Sequence, residues 1–171
     1  MGQENENFDY YKGHLQDFSS HMVYLKCDSL KAQSVSHPNL KLFCSEETAA
    51  RIFWKKRRLY GKAVEHDFRM KVVFIGFGRL GEEALTYALQ NNIFSPEQRI
   101  EYHVFGGDER FSSIHTQLSE IEDPVVFHRE PWHASLSLLE EADMVLVLSQ
   151  EEQLTLLKDL LFATVRSEID A

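Results

Sequence analysis

Apolar residues in this chain gather in short continuous runs, and from Lys71 onward those runs alternate with amphipathic stretches. Val72 to Ile75, Ile100 to Phe105, Val125 to His128 and Met144 to Leu148 are short and rich in β-branched or aromatic residues, as in strands covered on both faces of a parallel sheet. Between them the period changes to that of a helix. Ala84, Leu85, Ala88 and Leu89 form one stripe over Glu82 to Gln90, which Asn91 and Asn92 end. Phe111, Ile114, Leu118 and Ile121 form a second, with Asp108 at its start. Trp132, Leu136 and Leu139 form a third that opens at Pro131. Leu154, Leu157, Leu160, Leu161 and Val165 form the last, behind a Ser149 and Glu152 capping box. The alternation predicts an α/β fold: a Rossmann-like, doubly wound and mostly parallel sheet.

The first part of the chain follows a looser pattern. Residues 1 to about 20 are polar and acidic with a few aromatics, which suits a docked helix or an arm. Met22 to Cys27 reads as a strand, Asp28 to Asn39 as a loop, and Leu40 to Cys44 as another strand. Ser45 then caps a helix with Glu46 and Glu47 in its first turn and the basic run Lys55 to Arg58 at its end, with Gly61 as the stop. The expected organisation is an N-terminal extension over 1–65, contributing an extra strand and helix, and a Rossmann-like nucleotide-binding domain over 66–171. The strand and helix of 40–58 are candidates for a sheet edge.

Composition narrows the classes. The chain has 171 residues, 43% hydrophobic and 26% charged, enough for one well-buried domain with an arm. No apolar run approaches the roughly 18 residues of a membrane span. A net charge of −9 opposes binding to nucleic acid. The two cysteines, Cys27 and Cys44, lack the spacing of a redox motif and read as reduced thiols. The acidic start is unlike a signal peptide, and Glu6 stands where myristoylation needs Ser or Thr, so the expected compartment is cytoplasmic.

The chemistry lies in Gly76-Phe77-Gly78-Arg79-Leu80-Gly81, a G-x-G-x-x-G run between a buried strand and a helix. Gly76 permits the turn, Gly78 lets a pyrophosphate approach the backbone, and Gly81 lets the helix lie close to the strand. The helix start then offers N–H groups and a positive dipole end to phosphate oxygens. Asp108, beyond the second strand, is the candidate acceptor for ribose hydroxyls; its alternative role is a helix cap. Arg110 can instead meet a 2′-phosphate, so NAD and NADP both stand. The alternative for the whole motif is a tight turn that holds no ligand.

With VVFIGFGRLGEEAL, IEYHVFGGD and SLLEEADMVLVLSQEEQLTLLKDLL in place, residues 71 to about 165 resemble the TrkA-N domain of regulator-of-conductance-of-potassium (RCK) modules. The resemblance covers a little over half the chain. It implies a noncatalytic sensor that binds NAD or NADH, or ATP, ADP or AMP, and acts on a membrane transporter or channel subunit in potassium transport, as a homo-oligomer. The third strand departs from the family, ending Phe127-His128-Arg129-Glu130 in place of a Gly-Asp pair. His128 and Arg129 are candidate ligand contacts at a strand's carboxyl end, and His103 reads as a packed residue. No metal site is expected, since Pro131 separates His128 from His133. Two alternatives remain: an NAD(P)-dependent oxidoreductase or a fragment of one, and a vestigial Rossmann assembly module.

Overall fold

The computed structural model describes residues 9–27, 38–107, 110–115, 123–148 and Lys158. Asp108, the Ser149 and Glu152 capping box and the stripe from Leu154 to Val165 lie outside the described residues, as do Leu118 and Ile121. The chain divides into two compact units, Met1–Phe53 and Trp54–Ala171.

In the first unit, strands β1 (Val23–Lys26) and β2 (Leu40–Phe43) pair in parallel, with Val23 opposite Leu40 and Lys26 opposite Phe43. They form their own two-stranded sheet. The strand considered above as an edge for a larger sheet is therefore paired with β1. Helix α1 (Ser45–Lys56) follows at once. Cys44, one residue before the expected cap, takes that role: the Glu47 N–H donates to its Sγ at 3.5 Å. The Ser45 hydroxyl donates instead to Glu46 Oε2 at 2.7 Å. That bond, aided by Lys26 at 3.2 Å, holds the Glu46 carboxyl down at about 2.

The second unit is built on a four-stranded parallel sheet. Helix α2 (Tyr60–Glu65) contains Gly61, so this glycine does not stop a helix as its sequence context suggests. Asp67 (φ 50°) and Phe68 (φ 58°) then take left-handed conformations in succession, a turn locked by the Phe68 N–H donating to the Ala63 carbonyl at 2.6 Å. Strand β3 (Arg69–Ile75) leads through the glycine run into α3 (Arg79–Asn91), β4 (Arg99–Phe105) and the short α4 (Arg110–Ile114). β5 (Val125–His128) follows. The single helix expected after Pro131 is broken at Ser135 into a 3-10 turn (Trp132–Ala134) and α5 (Leu136–Glu140), and β6 (Met144–Val147) closes the described sheet.

The strand order is β5-β4-β3-β6, all parallel. Ranked along this unit, the order is third, second, first, fourth, compatible with the first four strands of a Rossmann-like sheet. Val72, Val73, Phe74, Ile100, Tyr102 and Val104 are fully buried, as sandwiched parallel strands require. On one face Val73, Ile75 and Phe105 pack with Leu139 of α5, and Trp132, Leu138 and Ala142 close around them. α3 turns Gly81, Ala84, Leu85, Ala88 and Leu89 inward, and the buried indole N–H of Trp54 donates to the Ala84 carbonyl at 2.7 Å.

Polar ties fix the amino ends of the strands. Buried Asp123 accepts the Ile100 N–H at 2.8 Å and a Gln98 Nε2 proton at 2.6 Å, and Gln98 Nε2 also donates to the Asn92 carbonyl at 2.8 Å. The Asp143 carboxylate accepts the Lys71 N–H at 2.8 Å and lies 2.9 Å from His66 Nδ1. Each tie satisfies a strand N–H beyond the reach of the ladder.

Candidate functional site

The carboxyl ends of β3 and β4 meet in two glycine turns. Gly76 (φ 79°) and Gly106 (φ 82°) both occupy the left-handed region, where a Cβ is strained. Gly76 donates its N–H to the Phe105 carbonyl at 3.0 Å. A Cβ on Gly106 would lie 3.6 Å from both Gly76 Cα and Phe77 N, so the two turns run back to back.

Phe77 is the wedge between them. A Cβ at Gly81 would meet its ring at 2.9 Å, and one at Gly107 would meet it at 2.8 Å, so both glycines make room for one aromatic. The ring stands edge-on to Phe111 (5.5 Å) and Phe127 (5.6 Å). The sequence expects Gly81 to let the helix lie close to the strand; the nearest neighbour of a Cβ there is the Phe77 ring, with the Gly76 carbonyl oxygen at 3.5 Å. Gly106 and Gly107 were not singled out from sequence. Their signal is a glycine pair directly after a buried strand, the same signal that marked Gly76.

Gly78 behaves differently. It caps α3 in an extended conformation (φ −99°, ψ −159°), and a Cβ built there would meet nothing within 4 Å. The backbone is therefore open to an approaching group at the start of a 13-residue helix. N–H groups of that first turn have no acceptor within the helix. Arg79 reaches along the helix to Glu83 at 3.1 Å, and Glu82 adds a second carboxylate to the first turn. Leu80 is half-buried. Gly76, Phe77, Gly78, Arg79, Leu80 and Gly81 are thus gathered in one turn at the end of β3, beside which strand order reverses between β3 and β6.

No family model, curated protein or solved structure matches the chain. What the turn can do rests on its own geometry. Open sheets bind ligands outside the carboxyl ends of their strands at such a reversal, and the N–H groups of a glycine-lined helix start suit a phosphate, although the Glu82 carboxylate in this first turn opposes one.

His128 ends β5, as expected, but its ring is engaged within the sheet. It stacks on Phe105 at 4.4 Å, and its Nε2 lies 3.0 Å from His103 Nδ1, so one ring donates and the other accepts. His103 Nε2 in turn lies 3.5 Å from Glu101 Oε2. Burial, reinforced by the neighbouring His128, lowers the His103 pKa, and burial lowers that of His128. The pair is neutral at neutral pH. Its link needs the register of β4 against β5, which no local sequence signal gives.

At the opposite end of the sheet, a cleft of about 530 Å³ runs past Arg69, Lys71, Arg99, Glu101, Glu141 and Asp143. Its charges are largely internal pairs, Lys71 with Glu141 and Arg99 with Glu101 at 3.0 Å, and Asp143 lies 2.9 Å from His66 Nδ1. Among the described residues no group of three or more His, Cys, Asp or Glu side chains is placed to hold a metal, and no helix is long and apolar enough to cross a membrane.

Proposed function

We propose that the unit from Trp54 onward is a noncatalytic regulatory domain that takes NAD(H) or an adenine nucleotide at the turn from Gly76 to Gly81. One observation carries this reading: the strand order sets an open Gly78, at the start of a long helix, beside the reversal between β3 and β6. A pyrophosphate would lie against the Gly78 backbone and the first turn of α3. The turn's side chains supply glycines, Phe77, Leu80 and an Arg79 engaged by Glu83, with no nucleophile or acid–base pair among them. This favours binding over turnover. The resemblance to TrkA-N extends the proposal to a cytoplasmic domain, homo-oligomeric, that reports nucleotide occupancy to a membrane transporter or channel subunit in potassium transport.

Thermal unfolding of the full chain with NAD, NADH, NADPH, ATP, ADP and AMP tests the reading. A ligand that binds only the folded state at a hundred times its Kd adds about 2.7 kcal/mol of stability. The expected result is a rise in Tm with one nucleotide that Gly78→Asp abolishes without lowering the unliganded Tm. Absence of a shift with every nucleotide overturns the binding site and leaves the vestigial module. Cofactor turnover with a small alcohol or acid moves the assignment to an oxidoreductase.

A further inference from the structure

The two cysteines stand 17 positions apart in sequence as Cys27 and Cys44, yet the β1–β2 register brings them side by side. Lys26 is opposite Phe43, and the Cys27 N–H donates to the Phe43 carbonyl at 2.8 Å, so the ladder continues one step past the last registered pair. The next positions on the two strands are Cys27 and Cys44. Neighbouring parallel strands lie about 4.8 Å apart, inside the Cα separation of about 4.4–6.8 Å that a disulfide spans.

Both thiols are reduced and fully buried. Cys27 Sγ lies 3.6 Å from the Phe43 carbonyl oxygen, which belongs to the peptide that leads into Cys44. Cys44 Sγ accepts the Glu47 N–H at 3.5 Å and lies 3.8 Å from Glu46 Oε2. The helix cap thereby fixes Cys44 where β2 ends, on the side where Cys27 ends β1. These are the only cysteines in the chain, and both fall immediately after the last residue of a strand.

We propose that Cys27 and Cys44 form a reversible intramolecular disulfide when the chain meets hydrogen peroxide. One sulfur attacks the peroxide, forming an S–O bond as the O–O bond breaks and hydroxide departs with the thiol's proton as water. The second sulfur then attacks the sulfenic sulfur, forming S–S as the S–O bond breaks, and a second water leaves. Two thiols are oxidised by two electrons and one hydrogen peroxide is reduced. Burial makes access the slow step, and it keeps larger thiols away from the sulfenic intermediate. A small dithiol that reaches the bond reopens it by thiol–disulfide exchange.

The full chain, treated with hydrogen peroxide and then alkylated under denaturing conditions, is read by mass spectrometry. The expected product is a monomer about 2 Da lighter that resists alkylation, yields a peptide joining Cys27 to Cys44, and returns to two free thiols with dithiothreitol. Sulfinic acid on separate cysteines, cross-linked copies, or two thiols that stay alkylatable overturns the proposal. A glutathione redox titration adds a reading that needs no variant. The folded chain is expected to oxidise at a disulfide-to-thiol ratio about tenfold lower than the urea-unfolded chain. An equal or higher ratio shows that the fold does not favour the bond, and the proposal falls. In Cys27→Ser the remaining Cys44 is expected to overoxidise in place of being protected.

Discussion

The two ends of the four-stranded sheet are built from opposite materials. At the amino end, strand starts are held by charged and amide side chains: Asp123 under Ile100, Asp143 under Lys71, and Gln98 bridging Asp123 to Asn92. At the carboxyl end the same strands finish in glycines and aromatic rings, with Phe77 seated between Gly81 and Gly107. At the first end Asp123 and Asp143 take up the strand N–H groups of Ile100 and Lys71, whereas the second leaves open space at Gly78, at the start of α3. A cleft alone does not mark a binding end. The amino end has one of about 530 Å³, but its cations are largely engaged by its own carboxylates.

If the amino end is the anchor, its disruption is the costliest change. Asp123→Ala strands the Ile100 N–H and the Gln98 amide in a buried setting and is expected to cost about 2–4 kcal/mol. Urea unfolding measures it. A loss under about 1 kcal/mol would show that water replaces the carboxylate and that this end is less dry than its burial implies.

The carboxyl end divides its glycines into two kinds. Gly81→Ala presses a methyl group on a Phe77 ring whose other side is already against Gly107, so the ring has no room to retreat. A loss of about 1–3 kcal/mol is expected. Gly78→Ser enters open space at a helix cap, where serine is favoured, and stability should hold within about 0.5 kcal/mol while nucleotide binding weakens. Chemical denaturation of both variants separates them. Equal losses would erase the distinction between a packing glycine and an approach glycine.

The smallest effect belongs to the histidine pair between the two ends. The folded pKa values of His103 and His128 lie below their ordinary value near 6.5, so the folded chain refuses protons that the unfolded chain accepts. Their contribution to stability is therefore complete above about pH 6.5 and shrinks as pH falls toward the folded values. Glu101 opposes the shift of His103, and Lys71 adds to it. Between about pH 7.5 and about pH 5.5 the wild-type Tm should drop more than that of His103→Gln. Parallel slopes would remove the pair as the source.

The strands of the second unit were legible because each is a short apolar run rich in β-branched or aromatic residues, and Val125 to His128 matches residue for residue even though β5 is not a buried strand. The glycine turn was legible for a similar reason: Gly76 and Gly81 have local duties that only glycine meets. What escaped depends on partners distant in sequence. The hydrogen bond of the Cys27 N–H to Phe43, the meeting of His103 with His128, and that of Phe77 with Phe111 and Phe127 all follow from register or topology. Gly61 misled because a glycine inside a short helix costs only about 1 kcal/mol, which packing can offset. Asp108, the expected ribose contact, lies outside the described residues.

The broken helix after Pro131 bears on how far a chain can travel. β5 and β6 are the outer strands among the described residues, so residues 129–143 cross over β4 and β3 and return to the starting end of the sheet. A 3-10 turn advances about 2.0 Å per residue where an α-helix advances about 1.5 Å. Winding Trp132–Ala134 in the tighter form, and pausing at Ser135 before α5, lengthens the bridge without adding residues. The segment is a span of measured length: extra residues can bulge outward, but removing a turn would pull β6 out of step with β3.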